Sequence, residues 1–297
     1  MQHLADENGV VHLPCLRPDP SIFALSSLRE NSKPVKAIIL DTETTGLEAS
    51  DSIIELAMLP ILFDSETGDL YAIGEFFCQM QDPGRPIPEV ASRANGIYDA
   101  DVAGKAIDWL LVREYINEAD VIIAHNAKFD RGMVDRTLNN LKASTDPKVW
   151  ACSVAQLDWS GLAPNAKQEV LCAFVTGFWY HAHRADADVY ALLALLINSG
   201  RLIELYQAAL KPSWEIWAEF PYDPLKTTII KSRTNEGKKY AFDGTRKCWW
   251  IDLPTRDAVD AEILWLSANI YRRECSNVVK IKEIAPEQRF GLQQGLK

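Results

Sequence analysis

Short apolar runs separated by polar turns dominate the N-terminal half of the chain. Three of them have the length of strands: residues 37–40, 53–63 and 70–79. The link between the second and the third is a Glu-Thr-Gly-Asp turn, and short links of this kind favour antiparallel pairing. This part of the sequence therefore predicts an antiparallel meander.

Farther along, strand and helix patterns alternate. Three segments with apolar residues at helical spacing predict helices: residues 105–117, 127–141 and 168–175. Two short apolar runs predict strands between them: residues 121–124 and 149–153. A longer helix is predicted over residues 187–210, with a break at Ser199 and Gly200. Strands followed by alternating strands and helices predict an α/β domain with a mixed sheet flanked by helices.

The two ends of the chain differ in composition from the middle. Residues 1–34 are rich in Pro, Asp and Ser and predict an irregular N-terminal arm. Prolines punctuate residues 212–224, which predicts a linker and limits the α/β domain to residues 35–211. Residues 225–297 then predict a small C-terminal α+β domain and tail, with a hairpin followed by a helix over residues 261–271.

Composition and charge narrow the class of protein. The 297 residues are 47% hydrophobic and 24% charged, as in ordinary globular proteins, and the formal net charge of −10 argues against non-specific coating of duplex nucleic acid. The opening residues lack a secretory signal pattern, and the longest apolar run is too short to span a bilayer. The cysteines form no C-x-x-C pair. We therefore expect a cytoplasmic protein with reduced thiols and no membrane partner.

Two acidic residues follow the first apolar run. Asp41 and Glu43 are two positions apart, so in an extended chain their carboxylates point to the same side. Because burial of unpaired negative charges is costly, a divalent cation with oxygen ligands is the natural partner. The alternative interpretation is a strand that ends in an acidic turn, and residues farther along the chain decide between the two.

A third carboxylate follows the predicted strand at residues 121–124. Asp130 lies in the first turn of the next helix, which Asn126 is placed to cap, so its side chain is expected near the strand end. On its own, Asp130 is better explained as an acidic residue that complements the helix dipole.

The segment HAHRADAD offers a histidine and a fourth carboxylate. Two registers place an aspartate five residues after a histidine: His181 with Asp186, or His183 with Asp188. Asp186 stands where an N-cap belongs, whereas no capping role explains Asp188. This difference favours His183 and Asp188.

Together these residues form a candidate metal site: Asp41, Glu43, Asp130, Asp188 and His183. Carboxylate oxygens suit Mg²⁺ or Mn²⁺ rather than zinc. Two such ions about 4 Å apart can hold a phosphodiester, activate water and stabilise the leaving 3′ oxygen. A histidine with an ordinary pKa of about 6.5 is suited to accept the proton of that water. The set predicts metal-assisted phosphodiester hydrolysis.

These motifs resemble those of the DEDD exonucleases, in the subgroup whose fifth residue is histidine, relatives of the proofreading epsilon subunit of bacterial DNA polymerase III. The matching segments are in the family's order: DTETTGL from Asp41, IIELA from Ile53, HNAKFD from His125, and HRA from His183 followed by Asp188. The resemblance implies a DnaQ-type, RNase H-like fold and removal of nucleotides one at a time from a 3′ end.

The resemblance also implies a role for individual residues. Asp41, Glu43 and Asp188 would hold the first metal ion. Asp41 would also reach a second ion that Asp130 supports through water, and His183 would be the base. Four residues would contact the substrate, with Leu47 as a wedge against the terminal base: Thr44, Gly46, Leu47 and Asn126.

A local excess of basic residues marks the C-terminal segment, and Trp249 and Trp250 follow it directly. Basic residues interleaved with aromatic ones suit single-stranded nucleic acid. Four of the basic residues are candidates for contact with a nucleic-acid strand: Lys238, Lys239, Arg246 and Lys247. The alternative is a small domain whose tryptophans fill its own core, and we favour that interpretation for Trp249 and Trp250.

The combined prediction is a 3′-to-5′ exonuclease that prefers single-stranded DNA, uses two Mg²⁺ or Mn²⁺ ions and releases nucleoside 5′-monophosphates. Proofreading or DNA repair would be the corresponding role. One alternative is an exoribonuclease or oligonucleotide-trimming enzyme with the same site, so RNA remains a candidate substrate. The other is a nucleic-acid-binding subunit associated with a DNA polymerase.

Overall fold

The computed structural model describes residues 13–291, so the first 12 residues of the predicted arm and the last six of the predicted tail lie outside it. The chain divides into two compact units, Met1–Ala209 with Phe290–Lys297, and Leu210–Arg289. Each unit has its own sheet and its own apolar core. The predicted catalytic residues all belong to the first unit.

The first unit begins with strands and continues with alternating helices and strands. In chain order its elements are β1 (Pro34–Thr44), β2 (Ile53–Asp64), β3 (Leu70–Ile73), β4 (Phe77–Met80), α1 (Glu89–Asn95), α2 (Asp99–Val102), α3 (Trp109–Glu118), β5 (Val121–Ala124), α4 (Ala127–Asn140), β6 (Val149–Cys152), α5 (Ser153–Gln156), α6 (Gln168–Leu171), α7 (Ala185–Asn198) and α8 (Leu202–Ala209). A π-helical turn, Cys172–Thr176, continues α6.

These strands form one mixed sheet in the order β3–β2–β1–β5–β6, and β4 also pairs with β2. β1 and β2 are antiparallel, whereas β5 runs parallel to β1 and β6 parallel to β5. The predicted mixed sheet is therefore confirmed. The third predicted strand is divided into β3 and β4 at Gly74, whose amide donates to the Pro60 carbonyl at 2.8 Å.

β1 is buried on both faces, which explains its continuous apolar run. Ile39 packs in the core that α7 covers, whereas Ile38 and Leu40 pack in the core formed with α3 and α4. The strand was predicted to end at Leu40, but it continues to Thr44. The acidic residues that follow Leu40 therefore lie within the strand and keep its side-to-side alternation.

The helix predicted over residues 187–210 is two helices, α7 and α8, which meet at an angle of 102°. The break lies at the predicted position, where Gly200 has a φ of +66°, a conformation that favours glycine. Within residues 13–291, no single helix is long and apolar enough to cross a membrane, and α7 and α8 pass that test only when they are taken together.

The second unit has an antiparallel sheet in the order β10–β11–β7–β12 and a separate small hairpin, β8–β9. Its elements are β7 (Ser213–Ala218), α9 (Pro224–Ser232), β8 (Thr234–Asn235), β9 (Lys238–Lys239), β10 (Ala241–Asp243), β11 (Cys248–Leu253), α10 (Arg256–Leu266) and β12 (Lys280–Ile284). The helix predicted at residues 261–271 thus begins earlier and ends in a π-helical turn, Ser267–Tyr271.

One strand of this sheet occupies the segment that was predicted as a linker, residues 212–224. β7 pairs with β11 on one side and β12 on the other, so the first half of that segment is a central strand. Ile216 and Ala218 pack in the core of the unit, and Glu215 alternates with them. The flanking prolines suggested a linker and concealed this alternation.

Candidate active site

Two carboxylates project from β1 toward α7. Asp41 and Glu43 are two and four positions after Ile39, so they lie on the face of the sheet that α7 covers. Glu43 pairs directly with Glu55 of β2, and a β-bulge follows between Glu43 and Thr44. Bulges of this kind redirect side chains at functional sites.

The first turn of α7 supplies a third carboxylate. Asp41, Glu43 and Asp188 offer ligand oxygens that all lie within 4.8 Å of one another. The N-cap of α7 is Arg184, so the predicted capping role of Asp186 is wrong. Among the residues that the structure describes, the cluster contains Asp188 rather than Asp186.

Asp130 reaches the same region from the other face of β1. Its Oδ1 accepts hydrogen bonds from the Thr42 amide at 3.1 Å and the Thr42 hydroxyl at 2.8 Å. Burial raises the pKa of Asp130 in spite of these bonds, and its charge contributes to the raised pKa of Asp41. Asp130 therefore lies beside the cluster of three carboxylates, where α4 begins.

Burial and mutual repulsion raise the pKa of the clustered carboxyl groups. The pKa of Glu43 rises to about 8, with burial as the largest cause and the charges of Asp188 and Glu55 as the next. Burial also holds the pKa of Asp41 well above its usual range, and neighbouring carboxylates add to the rise. A cluster of this kind favours protons or a cation at its centre.

Hydrogen bonds fix Asp188 from several sides. Oδ1 accepts from the Tyr180 hydroxyl at 2.7 Å and from Gln168 Nε2 at 3.3 Å, and Oδ2 accepts from the Arg184 amide at 3.1 Å. Burial raises the pKa of Asp188, and the Tyr180 bond opposes that rise. The sequence analysis missed Tyr180 and Gln168, since neither stands at a spacing that indicates a role.

An ion pair that the sequence did not indicate joins Glu55 and Arg184. The Glu55 side chain is only 1% exposed. It accepts from Arg184 Nη2 at 2.8 Å and Nε at 3.2 Å, and from the Ala185 amide at 3.0 Å. Both residues stand in segments that resembled the family motifs, but the sequence gave no reason to pair them.

The two histidine registers differ in the structure. His183 is exposed in the loop before α7, with a φ of 66° that non-glycine residues rarely adopt. A positive charge on His183 lowers the pKa of Asp188, so the two side chains are electrostatically coupled. His181 instead packs edge-on against Trp179, with ring centroids 4.7 Å apart. This arrangement favours His183 with Asp188.

The last residue of β1 and the loop after it carry three of the predicted substrate contacts: Thr44, Gly46 and Leu47. Leu47 is 83% exposed, and the Thr44 hydroxyl donates to the Gly46 carbonyl at 2.6 Å. A Cβ atom on Gly46 would lie 2.4 Å from Asp51 Oδ2. Asp51 in turn accepts from Arg85 Nη2 at 3.0 Å. The exposed leucine thus stands on a loop that these contacts hold in place.

Asn126 is exposed at the N-cap of α4, where its side chain makes no capping bond to any residue in the range 13–291. The predicted capping role is therefore wrong, and its amide faces solvent. The neighbouring His125 is bonded to the Ser153 hydroxyl at 2.7 Å and the Ala166 carbonyl at 2.8 Å. Burial lowers the pKa of His125, which fits a neutral structural residue.

The residues of the second unit that were predicted to contact a nucleic-acid strand differ in their exposure to solvent: Lys238, Lys239, Arg246 and Lys247. Lys239 and Lys247 are exposed, and Lys238 is half-buried. Arg246 donates to Asp243 Oδ2 at 2.9 Å and lies 4.9 Å from the centre of the Trp217 ring. Trp249 packs in the core of the unit, as expected, and Trp250 stacks on Trp217. Lys239 and Lys247 therefore remain as the solvent-facing pair.

The donor set fits a hard divalent cation. Within the described part of the chain, the candidate metal cluster consists of carboxylates alone, and the strongest charge effects on Asp41 and Glu43 come from other carboxylates. Oxygen donors of this kind suit Mg²⁺ or Mn²⁺. Asp41, Glu43 and Asp188 would hold the ion, with Asp130 beside them.

The mixed sheet and the acidic residues on its central strand define an exonuclease of the RNase H-like class, a phosphodiester hydrolase. The family model of the RNase T exonucleases matches residues 38–196, more than half of the chain. The chain belongs to this family, which includes the DnaQ-like exonucleases.

The similar curated proteins include a DNA polymerase III of the PolC type and a DNA polymerase III subunit. The chain is 29% identical over 167 residues to a PolC-type DNA polymerase III of Streptococcus agalactiae, with 54% of this chain and 11% of that protein covered. It is 27% identical over 181 residues to the DNA polymerase III epsilon subunit of Buchnera aphidicola, with 56% of this chain and 74% of that subunit covered. The match thus spans about a tenth of the PolC-type relatives.

Solved structures that are similar include Exonuclease X in complex with 5′ overhanging duplex DNA, with 27% identity, a TM-score of 0.42, and 57% of this chain and 96% of that chain covered. Another is E. coli Exonuclease I in complex with an oligonucleotide, with 17% identity, a TM-score of 0.44, and 61% of this chain and 47% of that chain covered.

Proposed function

We propose that this protein is a divalent-metal-dependent 3′-to-5′ exonuclease that releases nucleoside 5′-monophosphates from single-stranded DNA. The observation that carries the proposal is the cluster of Asp41, Glu43 and Asp188, whose ligand oxygens lie within 4.8 Å of one another. Two further observations support it: the charge of Asp130 contributes to the raised pKa of Asp41, and a positive charge on His183 lowers the pKa of Asp188.

In this proposal, Asp41, Glu43 and Asp188 would hold two Mg²⁺ or Mn²⁺ ions with Asp130 beside them, and the bound ions would supply positive charge at the scissile phosphate, the attacking water and the leaving oxygen. The protein's own residues do the rest. Asp188 is held in place by Tyr180 and Gln168, while His183 accepts the proton of the attacking water. The new P–O bond forms to that water as the bond to the 3′ oxygen breaks, and that oxygen takes a proton from solvent.

The substrate end of the strand would lie along the loop after β1. The exposed Leu47 offers a surface for the terminal base, and the free amide of Asn126 offers donors to the phosphate backbone. The polymerase relatives support DNA as the substrate. They also motivate the second candidate, in which the chain is the exonuclease component of a DNA polymerase.

A degradation time course tests the proposal and the choice of substrate. Matched single-stranded DNA and RNA of one sequence, each labelled at the 5′ end, are incubated with the protein in Mg²⁺ and in EDTA. We expect a ladder that shortens from the 3′ end, faster on DNA and abolished by EDTA. Faster loss of RNA would identify an exoribonuclease, and no cleavage of either would contradict the proposal.

A further inference from the structure

We infer that the Glu55–Arg184 ion pair is a positioning device for the loop that carries His183, and that turnover requires Arg184 although it is not itself a catalytic residue. The inference rests on the proposed function, because it concerns the residue proposed as the base. Neither Glu55 nor Arg184 is among the metal ligands or substrate contacts assigned above.

The geometry joins the two sides of the site. Glu55 is paired with Glu43 across β1 and β2, and its carboxylate accepts from the side chain of Arg184 and the amide of Ala185. Arg184 follows His183 directly and is the N-cap of α7, whose first turn carries Asp188. One buried carboxylate thus ties β2 to the start of α7 at the residue next to the proposed base.

The energetics favour a rigid connection. A carboxylate that is 1% exposed needs a paired cation, because an unpaired buried charge is strongly unfavourable. The planar guanidinium makes two parallel bonds, which fix direction as well as charge. His183 has a φ of 66°, a conformation that persists only where the surroundings hold it. The bidentate bond one residue away supplies that restraint.

The second unit contains a similar ion pair between an arginine and a buried glutamate, Arg233 and Glu262. The carboxylate cluster belongs to the first unit. Glu262 is fully buried and accepts from Arg233 Nε at 3.0 Å and Nη2 at 2.8 Å. Loss of either arginine leaves a buried glutamate without its paired cation, while a neutral donor remains in each case: the Ala185 amide on Glu55 and the Asn235 side chain on Glu262. Arg233→Ala therefore measures the effect of that loss on stability alone. Arg233 is bonded to Glu262 and is not one of the proposed strand contacts.

The position of Arg184 also allows chemical rescue. Its side chain is 39% exposed, and together with Glu55 it lines an open cavity of about 520 Å³. A small guanidinium compound can therefore reach Glu55 once the arginine side chain is removed. Kinetics of Arg184→Ala on a short 5′-labelled DNA are measured with and without methylguanidinium, with sodium chloride at equal ionic strength as the control.

We expect kcat of Arg184→Ala to fall by about 10- to 100-fold with KM little changed, and methylguanidinium to restore part of kcat. Arg184→Lys should retain more kcat than Arg184→Ala, and Arg233→Ala should lose thermal stability but no kcat. Unchanged kcat in Arg184→Ala, a loss confined to KM, or the absence of rescue in the folded variant would overturn the inference.

A second variant and a comparison with Asp41→Asn separate a failure of this inference from a failure to fold and from a failure of the proposed function. If Arg184→Ala does not fold, Glu55→Gln removes the ion pair without leaving a buried charge, and the same fall in kcat is expected. An active wild-type protein that loses activity on Asp41→Asn but not on Arg184→Ala would overturn this inference alone. A wild-type protein that is inactive in Mg²⁺ would overturn the proposed function together with the inference.

Discussion

The Tyr180 hydroxyl donates a hydrogen bond of 2.7 Å to Oδ1 of Asp188, the carboxylate that α7 contributes to the cluster. Both side chains are buried. A buried carboxylate that is fixed by a neutral donor keeps its orientation without a competing positive charge. Residues that orient metal ligands in this way commonly control metal affinity.

Replacement of this donor gives the first prediction. Tyr180→Phe should raise the Mg²⁺ concentration for half-maximal activity by about 10- to 100-fold, because Oδ1 of Asp188 loses its shortest hydrogen bond while the ring remains. A Mg²⁺ titration of the exonuclease rate measures it. Tyr71→Phe is the matched control, since Tyr71 donates to Asp64 at 2.7 Å within the same unit. Equal Mg²⁺ requirements for the two variants would refute an orienting role for Tyr180.

The histidine registers give the second prediction. Because His183 is the proposed base, His183→Ala should lower kcat by about 100- to 10,000-fold. His181→Ala should lower it far less, since that ring packs against Trp179. Single-turnover rates on one DNA substrate compare the two variants. A larger loss for His181→Ala would move the base to the other register.

The raised pKa values predict how stability depends on pH without metal. A carboxyl group whose pKa is raised by folding stabilises the folded state below the unfolded pKa, and that stability is lost as the pH rises through the folded pKa. For Glu43 the window runs from the ordinary 4.5 to about 8. In EDTA, the melting temperature should therefore fall as the pH rises through this window.

Divalent ions should reverse this trend, because they bind only the deprotonated carboxylates of the folded state. The stabilisation by Mn²⁺ should be larger at the upper end of the pH window than at the lower end. Calorimetry of the wild type and of Asp41→Asn/Glu43→Gln in EDTA and in Mn²⁺ provides the check. A double variant as dependent on pH as the wild type would place the titrating groups elsewhere.

The solvent-facing lysines of the second unit give the fourth prediction. Lys239→Gln/Lys247→Gln should weaken binding of long single-stranded DNA and reduce the slope of log K against log salt by about one to two, since about 0.7 counterion is released per phosphate contact. Lys33→Gln/Lys280→Gln has the same change in charge, but both of its lysines are ion-paired. Equal salt slopes for the two double variants would leave Lys239 and Lys247 without a strand contact.

Sequence patterns predicted the first unit well because its central strands are buried and its motifs are local. β5 matches its prediction, residues 121–124, and the break between α7 and α8 lies at the predicted Ser199 and Gly200. Asp41 and Glu43 were placed on one side by strand alternation alone. That argument holds although β1 is longer than predicted.

What the sequence could not provide are contacts between residues far apart in the chain. Glu55 and Arg184 are 129 positions apart, and no local pattern indicates their pairing. Arg246 was predicted to contact a nucleic-acid strand because basic residues there are interleaved with aromatic ones, and the sequence did not indicate its bond to Asp243 or its contact with the Trp217 ring. β7 was missed because flanking prolines are also typical of linkers.

The most direct test of the central claim is the rate of nucleotide release by Asp41→Asn on 5′-labelled single-stranded DNA at saturating Mn²⁺. Asparagine keeps the shape of the side chain but removes the charge that the metal ions need, so we expect a loss of at least about 100-fold. Asp135→Asn is the control, since Asp135 bonds to Arg131 on α4 outside the cluster. A folded Asp41→Asn protein that cleaves at close to the wild-type rate would contradict the metal site on which the account depends.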